Sequence, residues 1–274
     1  MEEKTVLSIA GLDPTGGAGV LADIEAIRHA GAIPFAVITS ITYQNSMGVF
    51  GRFDLEPEVL LRELQAAFEE HIPDSIKVGM LGNKKIILSL ASFLKEYSEI
   101  PIVLDPVLKS SSGAVLLEEE AVEDLKELLL PLSSLITPNV FELSSLCGFD
   151  VKDFDDTKIA CLYLTRIGVK SVLVTGLKRE GEKQEAIDIL YDGERFEIFS
   201  SPWIEDFRVR GTGCRMTSAI ASYLALGDSL DVAVSKARQF LSGYIQRCIE
   251  SGTGLLRFEE NNSGSSFNWF SFSK

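Results

Sequence analysis

The chain has 274 residues, of which 46% are hydrophobic, and its formal net charge is −14. A surface of that charge repels nucleic acid and anionic membranes, so we exclude nucleic-acid binding as a function. No apolar run approaches the roughly 20 residues that span a bilayer, and we expect no membrane association. The four cysteines are spaced neither as zinc ligands nor as a disulfide framework, which favours buried thiols and a reducing, cytoplasmic location.

Apolar, β-rich runs alternate with helical patterns along the chain. We predict strands at residues 6–10, 35–42, 75–80, 102–104, 134–137 and 171–175. Helices are predicted at residues 22–30, 57–70, 86–97, 118–130, 140–147, 156–167, 212–226 and 230–250. Short strands separated by helices are typical of βαβ units with right-handed crossovers. The predicted fold class is therefore α/β with a mostly parallel sheet.

Residues 186–191 and 195–199 depart from this alternation, because only Asp192-Gly193 and a neighbouring residue separate two apolar runs. This pattern predicts a hairpin with a type I′ turn that covers one sheet edge in antiparallel fashion. No linker or repeat interrupts residues 1–258, so we predict a single domain there. The tail at residues 259–274 is rich in Ser and Asn but carries four aromatic residues. We interpret it as a flexible end, with docking onto the body or a partner subunit as the alternative.

The chain satisfies neither of two common glycine-rich nucleotide-binding motifs. The sequence from Gly17 to Ala22 fits G-x-G-x-x-A, but a dinucleotide fold also needs an acidic residue at the end of the second strand. That strand ends without Asp or Glu. A P-loop needs Gly-Lys-Ser/Thr, which the chain lacks. Any phosphate must therefore be bound by another element.

The turn Gly211-Thr212-Gly213-Cys214 directly precedes a predicted helix that ends at Gly227. A helix N-terminus presents unpaired amides and the positive end of the macrodipole, and glycines let an anion approach closely. The turn is thus a candidate anion hole for a transferred phosphoryl group, although an ordinary glycine-rich helix cap fits the same pattern. In the first helical turn, Cys214 is expected to have a lowered thiol pKa, and either to accept a proton or to orient an attacking hydroxyl.

Polar residues that follow other strands complete a candidate site, because ligands bind beyond the carboxyl ends of parallel strands. Asn139 and Glu142 suit indirect Mg²⁺ binding through water, a role that Asp105 could share, or alternatively a plain helix cap. In the glycine-rich loop at residues 11–19, Asp13 is expected to face the ligand. Gln44 can donate and accept at once, which suits an aminopyrimidine edge, or is a plain polar loop residue. Met80 is an apolar wall of the site or plain core.

Together these stretches resemble the hydroxymethylpyrimidine/phosphomethylpyrimidine kinases of thiamin biosynthesis, in the ribokinase-like superfamily. The matching segments are residues 8–20, 37–39, 44–45, 77–81, 103–107, 135–139 with 142, 211–214 and 218–221. The resemblance implies a three-layer α/β/α fold, and ATP and Mg²⁺ as cosubstrate and metal. It also implies phosphorylation of the pyrimidine alcohol and then of its monophosphate.

The resemblance also implies roles for individual residues. Gln44 matches the pyrimidine-binding residue, and Cys214 stands where sugar kinases of the superfamily carry an Asp base. The rest of the substrate pocket is implied at Gly11, Asp23, Met80 and Val107, and the nucleotide contacts at Asn139, Thr175 and Gly176. Arg215, where the family usually has a small hydroxyl residue, either meets phosphate or faces solvent.

Three functions remain open at this stage. An ATP-dependent kinase of the pyrimidine alcohol is the main hypothesis. A kinase of the same fold for pyridoxal or a related vitamin precursor is the second, because Gln44 does not exclude a pyridine ring. A non-catalytic ligand-binding relative is the third. A homodimer is also a possible assembly.

Overall fold

A computed structural model describes residues 3–179, 184–204 and 209–253. The predicted tail at residues 259–274 lies outside these ranges. The described strands are β1 (Thr5–Leu12), β2 (Ile33–Asn45), β3 (Gly48–Asp54), β4 (Ser75–Val78), β5 (Ile102–Leu104), β6 (Leu135–Ile136), β7 (Val172–Arg179), β8 (Glu185–Tyr191) and β9 (Phe196–Pro202). They form one sheet in the order β3-β2-β1-β4-β5-β6-β7-β8-β9.

The centre of the sheet is parallel and both edges are antiparallel. The strands from β2 through β1, β4, β5 and β6 to β7 run in the same direction. At one edge β3 pairs antiparallel with β2, and at the other β8 pairs antiparallel with β7 and β9. The carboxyl ends of the parallel strands therefore meet along one side of the sheet, which is the side predicted to bind ligands.

Helices cover both faces of the sheet, as the predicted three-layer arrangement requires. The helices are α1 (Gly19–Ala30), α2 (Pro57–Glu70), α3 (Lys84–Leu94), α4 (Val122–Asp124), α5 (Val140–Cys147), α6 (Phe154–Arg166), α7 (Thr212–Ala225) and α8 (Leu230–Ser251). Buried residues of α1, α7 and α8 form one apolar cluster, and those of α2, α3, α5 and α6 form another. None of the described helices has the length and apolar character that crossing a bilayer requires.

The buried strands supply side chains to both clusters in alternation. Leu173 packs with α7 and α8, whereas its neighbours Val172 and Val174 pack in the opposite cluster. This follows from the period of two along a strand, and it explains why the central strands are almost continuously apolar.

Three elements differ from the sequence-based prediction. Strand β3 was not predicted, because its two glycines lower the strand propensity of the segment. The predicted helix at residues 118–130 is irregular: α4 is flanked by a 3₁₀ turn and continues as a π-helical stretch into a second 3₁₀ turn that contains Pro131. The predicted hairpin is confirmed, but Asp192 N donates to Arg195 O at 3.3 Å. The centre of its turn is thus Gly193-Glu194, one residue later than predicted.

Candidate active site

One cavity of about 330 Å³ lies where the carboxyl ends of the parallel strands meet the N-terminus of α7. Of the residues predicted for the site, those that line this cavity are Gly11, Asp13, Gln44, Met80, Asp105, Val107, Asn139, Glu142, Thr175, Gly176, Gly211, Thr212, Gly213 and Cys214. The fold therefore brings together residues that are up to about two hundred positions apart in the chain. Asp23 is the one predicted site residue that does not line it.

The N-terminus of α7 has the geometry of an anion hole. Arg215 N donates to Gly211 O at 3.0 Å, so the amides of residues 212–214 precede the first helical hydrogen bond. Gly211 has a φ of 67°, and a Cβ at this position would overlap the carbonyl oxygen of Gly17. Because the N-cap is a glycine, it has no side chain that could bond these amides. The amides thus stay open to a ligand in the cavity.

Asp13 organises the glycine-rich loop after β1 and does not simply face the ligand. Its Oδ1 accepts from Thr15 N at 2.8 Å and its Oδ2 accepts from Ala18 N at 2.9 Å. The same Oδ2 accepts from Arg210 Nη2 at 2.8 Å. Asp13 thus lines the cavity, as expected, while its two oxygens bind the loop and the arginine.

Gln44 reaches the cavity from the end of β2 and is held at both ends of its amide. Its Nε2 donates to Thr42 Oγ1 at 2.7 Å, and its Oε1 accepts from Arg210 Nη2 at 3.3 Å. Neither Thr42 nor Arg210 was identified as a functional residue from the sequence. Both line the cavity, and the position of Arg210 directly before the glycine turn was the only available signal.

The two carboxyl groups predicted for Mg²⁺ lie in the same desolvated part of the cavity. Burial raises the pKa of Asp105 to about 6, although the charge of Lys77 opposes this shift. Burial and the neighbouring charge of Asp105 raise the pKa of Glu142 to about 8. Two buried carboxyl groups whose charged forms are disfavoured in this way are suited to share a cation. Among residues 3–179, 184–204 and 209–253, no group of three or more His, Cys, Asp or Glu residues could hold a metal by itself.

Asn139 and Glu142 also form the capping box of α5. Asn139 Oδ1 accepts from Glu142 N at 2.9 Å, and Glu142 Oε2 accepts from Asn139 N at 3.0 Å. The structural alternative that the sequence left open is thus confirmed, and both residues still border the cavity.

Thr175 and Gly176 lie where β7 leaves its regular pairing with β8. Thr175 N donates to Pro138 O at 2.9 Å, and Gly176 N donates to Asp188 Oδ1 at 2.9 Å. Both backbone amides are therefore occupied within the protein. Any contact from these two residues to a nucleotide must use the Thr175 hydroxyl or the carbonyl groups.

The thiol of Cys214 is not activated by its place in the first helical turn. Burial raises its pKa to about 11, with Asp23 and Asp105 raising it further and Lys77 lowering it. The predicted lowering is wrong, because desolvation and the charges of Asp23 and Asp105 outweigh the lowering by Lys77. At neutral pH Cys214 is therefore a protonated thiol.

A fully buried ion pair lies beneath this end of the site. Lys77 Nζ donates to Asp23 Oδ2 at 2.8 Å, and the two side chains have no exposed surface. Ser8 and Ser218 also donate to Asp23, at 2.6 and 2.9 Å. The implied substrate contact of Asp23 is thus corrected: its oxygens are occupied by β1, β4 and α7. Burial lowers the pKa of Lys77, but Asp23, Cys214 and Asp105 raise it to a net value above the ordinary one, so the lysine stays charged.

Arg215 neither lines the cavity nor faces solvent. It is buried, donates to Gly17 O at 2.9 Å and to Glu25 Oε2 at 2.6 Å, and stacks on the ring of Tyr244. Both sequence-based expectations for this residue are wrong, because its long side chain runs back from α7 to the glycine-rich loop and to α1. Its role is to fasten that loop against the first turn of α7.

Residues 13–258 match the protein family described as phosphomethylpyrimidine kinase. The chain belongs to the phosphomethylpyrimidine kinase family. It is 43% identical over 249 residues to a hydroxymethylpyrimidine/phosphomethylpyrimidine kinase of Aquifex aeolicus, covering 90% of this chain and 96% of the relative. It is 36% identical over 248 residues to the kinase of that name from Bacillus subtilis, covering 90% and 91%.

Solved structures agree with this family assignment. The crystal structure of phosphomethylpyrimidine kinase from Clostridium difficile superposes with a TM-score of 0.77 at 36% identity, covering 90% of this chain and all of that one. Pyridoxal kinase from Staphylococcus aureus, in complex with AMP-PCP, gives a TM-score of 0.81 at 29% identity and covers 90% and 89%. The resemblance and the ribokinase-like fold drawn from the sequence of this phosphomethylpyrimidine kinase family member are confirmed.

Proposed function

We propose that the chain transfers the γ-phosphoryl group of ATP to the hydroxymethyl group of 4-amino-5-hydroxymethyl-2-methylpyrimidine, and then phosphorylates the resulting monophosphate in thiamin biosynthesis. Family membership supports this, as do the names of the relatives from Aquifex aeolicus and Bacillus subtilis. The observation that carries the proposal is that Gln44 and the first turn of α7 line the same cavity. One cavity thus holds both an amide suited to a pyrimidine edge and a helix terminus suited to a phosphoryl group.

In the proposed reaction the substrate hydroxyl oxygen attacks the γ-phosphorus, the bond to the bridging oxygen breaks, and ADP leaves with the bonding electrons. The hydroxyl proton passes to an oxygen of the transferred phosphoryl group and from there to solvent. The amides of residues 212–214 hold the transferred group and stabilise its negative charge. Cys214 orients the hydroxyl as a protonated thiol and takes no proton in the resting enzyme, because its pKa is about 11. This is sufficient for phosphoryl transfer, whose loose transition state demands little from a base.

The nucleotide and metal contacts are part of the same proposal. Asn139, Thr175 and Gly176 border the nucleotide, in keeping with the ADP and AMP-PCP complexes of the related pyridoxal kinases. Asp105 and Glu142 would hold Mg²⁺, partly through water, since a cation compensates the buried carboxylate charge that desolvation disfavours. The metal would supply positive charge to the phosphate oxygens.

A pyridoxal kinase activity is the second candidate. The observation that favours it is the TM-score of 0.81 with the Staphylococcus aureus pyridoxal kinase. Identity to that protein is 29%, against 43% to the pyrimidine kinase of Aquifex aeolicus. The pyrimidine substrate is therefore the better-supported one.

We also propose that the protein is a cytoplasmic homodimer that pairs through the outer edge of the sheet. Large apolar side chains on β2 and β3 are exposed, with 55% of Tyr43, 59% of Phe50 and 54% of Phe53 accessible. Exposed large apolar side chains at one edge of a sheet are a feature of protein interfaces. Sedimentation equilibrium of the parent and of Phe53→Ser would test it, since a monomeric parent contradicts the proposal.

The activity is tested by measuring ADP release with the pyrimidine alcohol, its monophosphate, pyridoxal and no acceptor. We expect release with the first two and little with the others. Cys214→Ala should lower turnover while ATP binding stays close to that of the parent. Binding of the pyrimidine without any ADP release would instead indicate a non-catalytic relative.

A further inference from the structure

The orientation of the Gln44 side-chain amide decides which ligand edge it can recognise. An aminopyrimidine presents a donor, the exocyclic amino group, beside an acceptor, the ring nitrogen. A glutamine pairs with both only when its oxygen faces the amino group and its nitrogen faces the ring. An amide that could rotate by 180° would accept the opposite order of donor and acceptor equally well.

Thr42 allows only one orientation at the nitrogen end of this amide. Its hydroxyl donates to Leu12 O at 2.9 Å, and a carbonyl oxygen can only accept. The single hydroxyl proton of Thr42 is thereby used, so Thr42 Oγ1 can only accept from Gln44. The 2.7 Å contact from Gln44 Nε2 meets this condition, whereas a reversed amide would oppose two oxygen lone pairs.

Arg210 imposes the same orientation at the oxygen end. A guanidinium has donors and no acceptor, so only the oxygen of Gln44 can bond to it. The arginine is itself fixed, by Asp13 Oδ2 at 2.8 Å and by Thr15 Oγ1 at 3.0 Å. It is buried, and a Cβ on Gly17 would lie 2.9 Å from its Cζ atom. The loop is therefore shaped to admit this guanidinium.

We propose that Arg210 and Thr42 are specificity-determining positioning residues, which lock the Gln44 amide so that it matches an aminopyrimidine and not a pyridine alcohol. The inference rests on the proposed function, because it assumes that Gln44 contacts the ring of the substrate. Each end of the amide keeps the capacity for one more hydrogen bond: Oε1 has a second lone pair, and Nε2 has a second N–H. These form the acceptor-donor pair that the substrate edge requires.

The lock is tested by the ratio of kcat/KM for the pyrimidine alcohol to kcat/KM for pyridoxal, with the pyrimidine Kd measured by calorimetry. Arg210→Met should lower this ratio by about tenfold or more, mainly through a higher KM and Kd for the pyrimidine. Thr42→Val should also lower this ratio, whereas Thr42→Ser, which keeps the hydroxyl, should have the same ratio as the parent.

Arg215→Met is the matched control, because Arg215 fastens the same loop but does not contact Gln44. It should lower kcat for both substrates and leave the ratio unchanged. A merely structural role for Arg210 predicts this same pattern for Arg210→Met, and that result would overturn the inference. If Arg210→Met does not fold, an unchanged ratio in Thr42→Val overturns it instead. A parent that neither binds nor phosphorylates the pyrimidine removes the proposed function and this inference together, whereas an active parent with unaltered variant ratios removes the inference alone.

Discussion

Replacing Lys77 by methionine tests how far the site depends on the buried ion pair beneath it. Methionine keeps most of the length of the side chain but removes the charge, which leaves Asp23 fully buried without its counter-charge. Among the described residues it then keeps the hydrogen bonds from Ser8 and Ser218. Breaking a buried pair in this way costs about 3–5 kcal/mol. For a chain of this size the melting temperature should then fall by roughly 6–20 °C.

The assay is urea and thermal unfolding of four proteins: the parent, Lys77→Met, Asp23→Asn and the double variant. Removing both charges should recover most of the loss, because no buried charge is then left unpaired. Lys84→Met is the matched control, since Lys84 pairs with Asp124 at 2.9 Å on the surface and is 56% exposed. That exposed pair should contribute less than about 1 kcal/mol.

Two results would refute this reasoning. One is a loss of less than about 1 kcal/mol in Lys77→Met, which would mean that water or a rearrangement compensates Asp23. The other is a double variant whose loss equals the sum of the single losses, because independent sites add and a coupled pair does not.

The remaining predictions concern the N-terminus of α7. A Cβ on Gly213 would lie 3.4 Å from Asp105 Oδ2, so Gly213→Ala should fit and stay active. Gly213→Asp should lower kcat/KM at least about a hundredfold, because its carboxylate would repel the phosphoryl group, and two unit charges about 4 Å apart repel by about 4 kcal/mol near a protein surface. Equal kinetics of the two variants would contradict the anion hole. Burial raises the pKa of Cys214 to about 11, so alkylation of this thiol by iodoacetamide should be slow at pH 7 and should still accelerate above pH 9. Mass spectrometry measures the alkylation, with Cys214→Ser as the control. A rate that reaches a plateau below pH 8 would contradict the raised pKa. Binding of ADP should raise the melting temperature of the parent and of Gly213→Ala but not of Gly213→Asp. A ligand stabilises the folded state by mass action only when it binds, and the added carboxylate should repel the phosphates of ADP.

The alternation of strands and helices could be predicted from the sequence because it depends on local periodicity. The same holds for the glycine turn that begins α7: glycines at 211 and 213 before an amphipathic helix indicate it without any knowledge of what surrounds them. Segments whose form depends on distant partners were missed or misplaced. Strand β3 is ordered by its pairing with β2, and the irregular helix around α4 follows from Pro131 and its packing.

The charged side chains show most clearly what tertiary structure alone decides. The residue types of Lys77, Arg210 and Arg215 are plain in the sequence, but each is neutralised by a residue at least 54 positions away. The pKa of Cys214 illustrates the same limit, since the helix dipole is a local property while desolvation and the charges of Asp23 and Asp105 come from elsewhere in the chain. Local pattern predicted where the candidate site lies and what kind of ligand it suits. Burial and long-range pairing, which no short segment encodes, decided which of its groups are charged, which are occupied and which remain free to act.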